Sequence, residues 1–462
     1  MCAPRLFVVA GLSIAQFAAP SVAQGPPPNV VIVFTDDQGY GDVGVYGATE
    51  FRTPNLDRMA SEGVRFTSFY VAAPVCTPSR AALLTGSHPM RIGLGHRVLF
   101  PYSTTGLNPD EITLAEVLKS RGYATGIVGK WHLGHHAKFL PTRQGFDTYF
   151  GIPYSNDMGD HWYAGQNFMA PPLPILRDEE VIEQGPDQTQ LTRRYTDEAI
   201  RFIRANKDRP FFLYLPHSMP HWPLAASARF AGHSQLGIYG DAIEELDWSA
   251  GEILKTLGEL GIDRRTLVIF TSDNGASLAP WQQRGYRPGS NGPLRAGKNT
   301  TWEGGMRVPA IMRWPGRIPA GLVQDELATA MDILPTIAKL TGAEAPRDRT
   351  LDGKDIWPLM SGTAGARTPH EAFYYYRDER LQAVRSGPWK LHIYRPEWGD
   401  GARDHQPLLF NLDKDIGENN NVAGANADVV KRLLALGEKA REDLGDTATG
   451  RQGRNVRPVG RL

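Results

Sequence analysis

Short apolar, β-branched runs recur along the chain, and each stops abruptly at polar residues. Val30-Val31-Ile32-Val33-Phe34 is the first, and similar runs lie at 125–128, 211–215, 267–270 and 308–312. Runs that are apolar at nearly every position fit strands buried on both faces of a sheet. Between them, segments at 55–61, 114–121, 195–206 and 240–260 carry apolar residues at helical spacing. Strands alternating with helices predict an α/β fold with a mostly parallel sheet and helices on both faces.

The pattern changes after Gly362. Segments 373–376, 382–385 and 389–394 read as short strands, with Ser386-Gly387-Pro388 as a turn, and 427–442 reads as a helix. This divides the chain into a large unit, 24–360, and a smaller C-terminal unit, 361–462, made of an antiparallel sheet plus a helix. The last residues are polar and rich in Gly and Arg, which predicts a loose tail. No internal repeat is visible. The first 23 residues read as a cleaved secretory leader, with Arg5, an apolar stretch at 6–19 and Ser21-Val22-Ala23 before the cut. That stretch is too short to span a bilayer, and no later stretch looks transmembrane. The expected location is therefore outside the cytoplasm, secreted or periplasmic.

Charge narrows the choice of ligand. Fifty basic residues balance fifty acidic ones, so nothing points to nucleic acid or to an anionic membrane surface. An anionic ligand has to be attracted by a local cluster of cations. There are two cysteines, Cys2 in the leader and Cys76. With Cys2 removed, no internal disulfide can form, and a lone thiol in an oxidising compartment is either buried and inert or chemically used.

The polar residues that end the strands are informative together. In parallel sheets, sites form beyond the carboxyl ends of strands. Here Asp36-Asp37, Gly129-Lys130-Trp131-His132, the stretch 217–221 and Asp273-Asn274 occupy four such ends. Each has a plainer reading taken singly. Paired aspartates often cap a helix or a turn, Asp-Asn-Gly is a common turn, and lysines are usually solvated. His132, His135 and His136 raise the thought of zinc, but Gly134 interrupts them and no H-E-x-x-H helix pattern occurs.

Cys76-Thr77-Pro78-Ser79-Arg80, followed by Leu84-Thr85-Gly86, resembles the sulfatase signature, in which the cysteine is oxidised to formylglycine by a dedicated maturation enzyme. The resemblance runs from Asn29 to about Asn421 and is strongest to the arylsulfatase A and N-acetylgalactosamine-6-sulfatase branch. It implies an alkaline-phosphatase-like α/β fold. It also implies that Asp36, Asp37, Asp273 and Asn274, with the modified Cys76, bind one divalent cation, calcium or alternatively magnesium. Arg80 would hold the formylglycine hydrate. Lys130 and His132 would bind sulfate and orient the nucleophile, and Ser155 would stand near it. His221, in Pro-His-Trp-Pro, and Lys298, in Gly-Lys-Asn-Thr-Thr-Trp-Glu-Gly-Gly, would bind sulfate and assist the leaving group. His217 competes with His221, and the Pro-His-Trp-Pro context favours His221. Asn299-Thr300-Thr301 is a formal glycosylation sequon, read as chance because it lies inside a site motif.

The residues present suit this chemistry. A sulfate ester needs cations for its oxygens, an oxygen nucleophile for sulfur and a proton for the leaving alcohol. Carboxylate and amide oxygens are hard ligands that favour calcium or magnesium over zinc. The expected function is hydrolysis of a sulfate monoester, on a sulfated small molecule or glycan, to an alcohol and inorganic sulfate. The alternatives are a phosphomonoester or phosphonate-ester hydrolase on the same scaffold, and a non-catalytic glycan-binding protein if Cys76 stays a thiol. Specificity is expected from 162–191 and 279–291, where Trp162, Tyr163 and Trp281 either stack on a sugar ring or pack inward.

Overall fold

The computed structural model describes residues 27–279, 286–394 and 406–462. The expected leader and Trp281 lie outside the described residues.

Strand β1 (Asn29–Thr35) is buried at every position, and its side chains feed two cores in alternation. Val30, Ile32 and Phe34 face one layer with Leu83, Leu84, Leu114 and Ile333. Val31 and Val33 face the other with Leu56, Met59, Tyr195, Ile253 and Leu257. Both faces are covered, so the strand has no polar side to show in sequence. The first layer is built by α2 (Cys76–Thr85), α3 (Leu114–Lys119) and α6 (Ile333–Thr341). The second is built by α1 (Pro54–Ser61), α4 (Leu191–Asn206) and α5 (Ile238–Glu259).

In chain order the remaining strands of the large sheet are β2 (Val64–Phe66), β3 (Ala124–Val128), β4 (Thr148–Gly151), β5 (Pro174–Arg177), β6 (Glu180–Gln184), β7 (Phe211–Pro216), β8 (Thr266–Ser272), β9 (Ala310–Arg313) and β10 (Leu322–Gln324). Their spatial order is β6-β5-β4-β3-β7-β1-β8-β9-β2-β10. The centre, from β4 to β8, is parallel. Antiparallel pairs extend it on both sides. The sequence pattern misses β2, β4, β5, β6 and β10, which are short or mix charges into the strand.

A second sheet follows in antiparallel order: β11 (Phe373–Arg377), β12 (Arg380–Ser386), β13 (Trp389–His392) and β14 (Leu408–Asn411). Helix α7 (Ala427–Leu444) packs Leu433, Leu436 and Ala440 onto Leu381, Val384, Leu391 and Leu409 of this sheet. The C-terminal tail is a correction to the expectation of a loose end. Gly460 and Arg461 pair with Gly106 and Thr105. Arg457 meets the Glu111 carboxylate at 2.7 and 2.9 Å and the Ser87 hydroxyl at 3.0 Å. Glu111, Ser87, Thr105 and Gly106 are over three hundred residues away in sequence, so the tail's polar composition alone could not reveal them. No helix among the described residues is long and apolar enough to cross a membrane.

Candidate active site

The polar residues at the strand ends converge because their strands are neighbours. Thr35 of β1 is in register with Ser272 of β8, which sets Asp36-Asp37 beside Asp273-Asn274. The backbone N–H of Asp37 donates to Asp273 Oδ1 at 3.1 Å. Asp37 has φ 64, a conformation that Asp tolerates better than most residues. On the other side of β1, β7 leads to His217, whose N–H donates to Phe34 O at 2.8 Å. Beyond it, β3 ends at Gly129 and delivers Lys130. Gly129 has φ 131, and a Cβ there would lie 1.9 Å from Pro216 O, so only glycine lets the chain turn Lys130 inward.

Cys76 opens α2, and Arg80 lies one turn further on. The Cys76 thiol is 3.5 Å from Asp36 Oδ1. Arg80 donates from Nε and Nη2 to Asp273 Oδ2 at 3.1 and 2.8 Å, and from Nη1 to Lys130 O at 3.1 Å. Its Nη2 is also 3.5 Å from Asp36 Oδ1. Lys130 pairs with Asp36 Oδ2 and donates to Ser155 Oγ at 3.0 Å. Lys298 lies 2.8 Å from both oxygens of Asp37, and His221 Nε2 is 3.7 Å from Asp37 Oδ2. All these side chains are buried. His217 is excluded from this cluster, because its Nε2 meets Ser249 Oγ at 3.1 Å in the core.

The two site histidines have assignable tautomers. His221 Nδ1 faces Trp222 O at 2.5 Å and must carry a proton, so Nε2, 3.7 Å from Asp37 Oδ2, is the nitrogen that gains or loses one. His132 Nε2 faces Leu99 O at 2.9 Å, so its Nδ1 is the bare atom, and that atom is buried without a protein partner. Burial, followed by Lys298, pushes the His221 pKa below the usual imidazole value. Burial, followed by Lys130 and Arg80, pushes His132 well below it.

The residues fit a hard cation. Asp36, Asp37, Cys76 and His221 each place one ligand atom within 4.8 Å of the others. Asn274 Nδ2 donates to Asp37 Oδ1 at 2.7 Å, while Asn274 Oδ1 is buried with no partner, as an oxygen aimed at an ion would be. The sequence grouped Asp273 with these ligands. Both its oxygens are already engaged, Oδ2 by Arg80 and Oδ1 by the Asp37 N–H. A carboxylate oxygen can take a second partner, so Oδ1 can still face a cation. His221 enters the four-atom group, a placement its motif did not suggest.

Electrostatics also calls for a cation. Asp36, Asp37 and Asp273 are balanced by Arg80, Lys130 and Lys298, so a sulfate ester entering here would leave an excess of negative charge. Burial opposes ionisation of Asp36, but Lys130, His221, Arg80 and Lys298 hold its pKa well below the normal carboxylate value. Burial and then Asp36 push Asp273 up to about 7. Burial raises the Cys76 thiol well above its usual value, so an unmodified Cys76 is not a thiolate nucleophile.

Trp162 is half exposed. Tyr163 packs edge-on against Phe100 and Tyr102, with centroids 5.8 and 5.1 Å away. Sequence reasoning missed Gln382, Lys390 and Glu418, partners of the 298–303 segment that come from the distant second sheet and the loop after it.

Comparison with known proteins gives a consistent picture. Residues 28–343 match the sulfatase family model, and 368–458 match the C-terminal region of aryl-sulfatase. The chain is 42% identical to human arylsulfatase A, covering 94% of this chain and 90% of that one. It is 40% identical to the N-acetylgalactosamine-6-sulfatase of Canis lupus familiaris, covering 95% and 90%. A Pseudoalteromonas sp. sulfatase of known structure superposes with a TM-score of 0.83 at 30% identity, covering 95% of this chain and 93% of that one. The architecture is alkaline-phosphatase-like.

Proposed function

The chain belongs to the sulfatase family of sulfuric ester hydrolases, and on that premise we propose that it cleaves a sulfate monoester with Cys76, converted to formylglycine, as its nucleophile. The observation that carries the reading is the meeting of Cys76, within 3.5 Å of Asp36, with the four-atom ligand group and with three buried cations.

A maturation enzyme would oxidise the Cys76 side chain by two electrons with an external oxidant, expelling the sulfur and leaving an aldehyde, and water adds to the aldehyde carbon to give a geminal diol. One hydroxyl, ionised by loss of its proton to water, attacks sulfur, and the bond from sulfur to the alcohol oxygen breaks. Lys298 and His221, on the Asp37 side, hold the sulfate, and His221 delivers a proton to the departing oxygen from its Nε2-protonated form, which the Asp37 carboxylate 3.7 Å away favours. The bare Nδ1 of His132 takes the proton of the second hydroxyl. The carbon–oxygen bond to sulfate then breaks, sulfate leaves and the aldehyde returns. Arg80 and Lys130 hold the diol and the sulfate oxygens in place. Asp36, Asp37 and Asn274, with Asp273 Oδ1, would hold a divalent cation, calcium or magnesium, that neutralises sulfate and lowers the pKa of the attacking hydroxyl. The substrate would be an aryl sulfate or a sulfated carbohydrate.

The test is mass spectrometry of the Cys76 peptide with turnover of an aryl sulfate and the matching aryl phosphate. Conversion lowers the peptide mass by about 18 Da, as for a thiol replaced by a carbonyl oxygen. Turnover of the sulfate by protein whose Cys76 is wholly unmodified would refute the mechanism. A preference for the phosphate would refute the substrate class.

A further inference from the structure

Lys298 reaches Asp37 from a segment with no regular structure after Lys298 until the short helical turn Glu303–Met306. Asn299 within it has φ 68. A lysine on such a segment can stand 2.8 Å from a buried carboxylate only if the segment is held from outside. On the site side, the Lys298 N–H donates to Ala276 O at 3.1 Å and the Asn299 N–H to Pro74 O at 2.9 Å.

Further holds come from the second sheet and the loop that follows β14. Lys390 Nζ donates to Thr301 O at 2.8 Å. The Thr301 hydroxyl donates to Gln382 Oε1 at 2.7 Å. Glu418 Oε2 accepts from the Glu303 N–H at 2.7 Å. The Trp302 ring lies 4.4 Å from that of His392, with the Arg295 guanidinium 3.8 Å above it. Behind these contacts, Lys390 bridges Glu303 and Glu418 at 2.8 and 3.0 Å, and His392 Nε2 meets Glu418 Oε1 at 2.7 Å. Lys390, His392, Glu303 and Glu418 are all buried.

Charges this deep are poor sources of stability, since desolvation offsets most of their attraction. They do enforce one geometry, because a shift of the 301–303 backbone strands a buried charge or an unpaired amide. We propose that the second sheet and the loop after it form a positioning clamp: Gln382, through the Thr301 hydroxyl, and Lys390 and Glu418, through the backbone, fix residues 301–303 and thereby hold Lys298 against Asp37 at the sulfate site. The proposal rests on the assignment of Lys298 above. These side chains are positioning residues, since none of them touches the site.

A double-mutant cycle tests it with the full chain and an aryl sulfate. Thr301→Val and Gln382→Met each remove one side-chain hydrogen bond and leave the ion pairs intact. Each should lower kcat roughly 2- to 150-fold, the span of coupling between residues in contact, with the melting temperature lowered by only a few degrees. Placed in a Lys298→Ala background, either change should have no further effect, because the group it positions is gone. A loss that adds in full to that of Lys298→Ala, or no loss in either single variant, would overturn the clamp and leave the role of Lys298 standing. An unchanged rate in Lys298→Ala alone would instead overturn the role of Lys298, and the clamp with it. Should Gln382→Met fail to fold, Thr301→Val removes the same bond from the other side.

Discussion

Arg80 straddles the Asp273 carboxylate from one turn inside α2, with Nη2 and Nε at 2.8 and 3.1 Å from the same oxygen. That fork fixes the helix bearing Cys76 to the strand end bearing the proposed ligands. Lysine keeps the charge but not the fork. Arg80→Lys should therefore lower kcat on an aryl sulfate about 100- to 1000-fold. It should also destabilise the fold by roughly 1–3 kcal/mol, because Lys130 O and Asp273 lose buried partners. Steady-state kinetics and thermal unfolding of the same preparation measure both effects, and wild-type kcat in that variant would contradict the role given to Arg80.

Removing divalent metal should abolish turnover, because Asp36, Asp37 and Asp273 would then face an incoming sulfate with only Arg80, Lys130 and Lys298 to balance them. Elemental analysis should find one calcium or magnesium per chain. Adding the cation back should restore the rate and raise the melting temperature, since a ligand at about 100 times its Kd stabilises the fold by about 2.7 kcal/mol. Full activity in demonstrably metal-free protein would rule the cation out.

Gly129→Ala probes the backbone that delivers Lys130. Its Cβ would fall 1.9 Å from Pro216 O, and Gly151 presses on the same turn, where a Cβ would lie 1.8 Å from Gly129 O. Neither neighbour is a flexible side chain. The substitution should lower soluble yield and melting temperature sharply, by several kcal/mol in ΔG for a positive-φ position with no room. Near-normal stability would show that the turn can relax.

Much of this was legible in the chain. Val30 to Phe34 announced a strand covered on both faces, and Asp36, Lys130, His221 and Asp273 could be placed at strand ends because turn residues interrupt each apolar run. The rest depends on partners far apart in sequence. Glu180 to Gln184 forms a strand despite its charges, because it pairs only at the sheet edge. Lys390 and Glu418 look like surface charges until Glu303 is folded against them. Nothing near Arg457 predicts Glu111. Local pattern reports local structure and whether a face is covered; it cannot report which distant charge completes a buried pair.

Two histidines that follow the same strand should respond in opposite ways to substitution. His221 faces Asp37 and the proposed sulfate position, and His217 faces Ser249 in the core. His221→Ala should lower kcat about 100- to 10,000-fold, as for loss of a general acid, with little change in stability. His217→Ala should do the reverse, keeping kcat within a few-fold while lowering the melting temperature. The pH dependence of stability supplies a second handle. Burial pushes the His217 pKa down to about 3, whereas in the unfolded chain a histidine titrates near 6.5. Between those values the unfolded chain binds a proton that the native state refuses, so this residue makes stability fall as pH falls from about 6.5 towards 3. From pH 7 to pH 5 the loss from this residue is about 2 kcal/mol. His217→Ala should therefore show a shallower acid limb in a plot of melting temperature against pH. If its acid limb stays as steep as that of the wild type while its kcat collapses, the two histidines have been assigned the wrong way round.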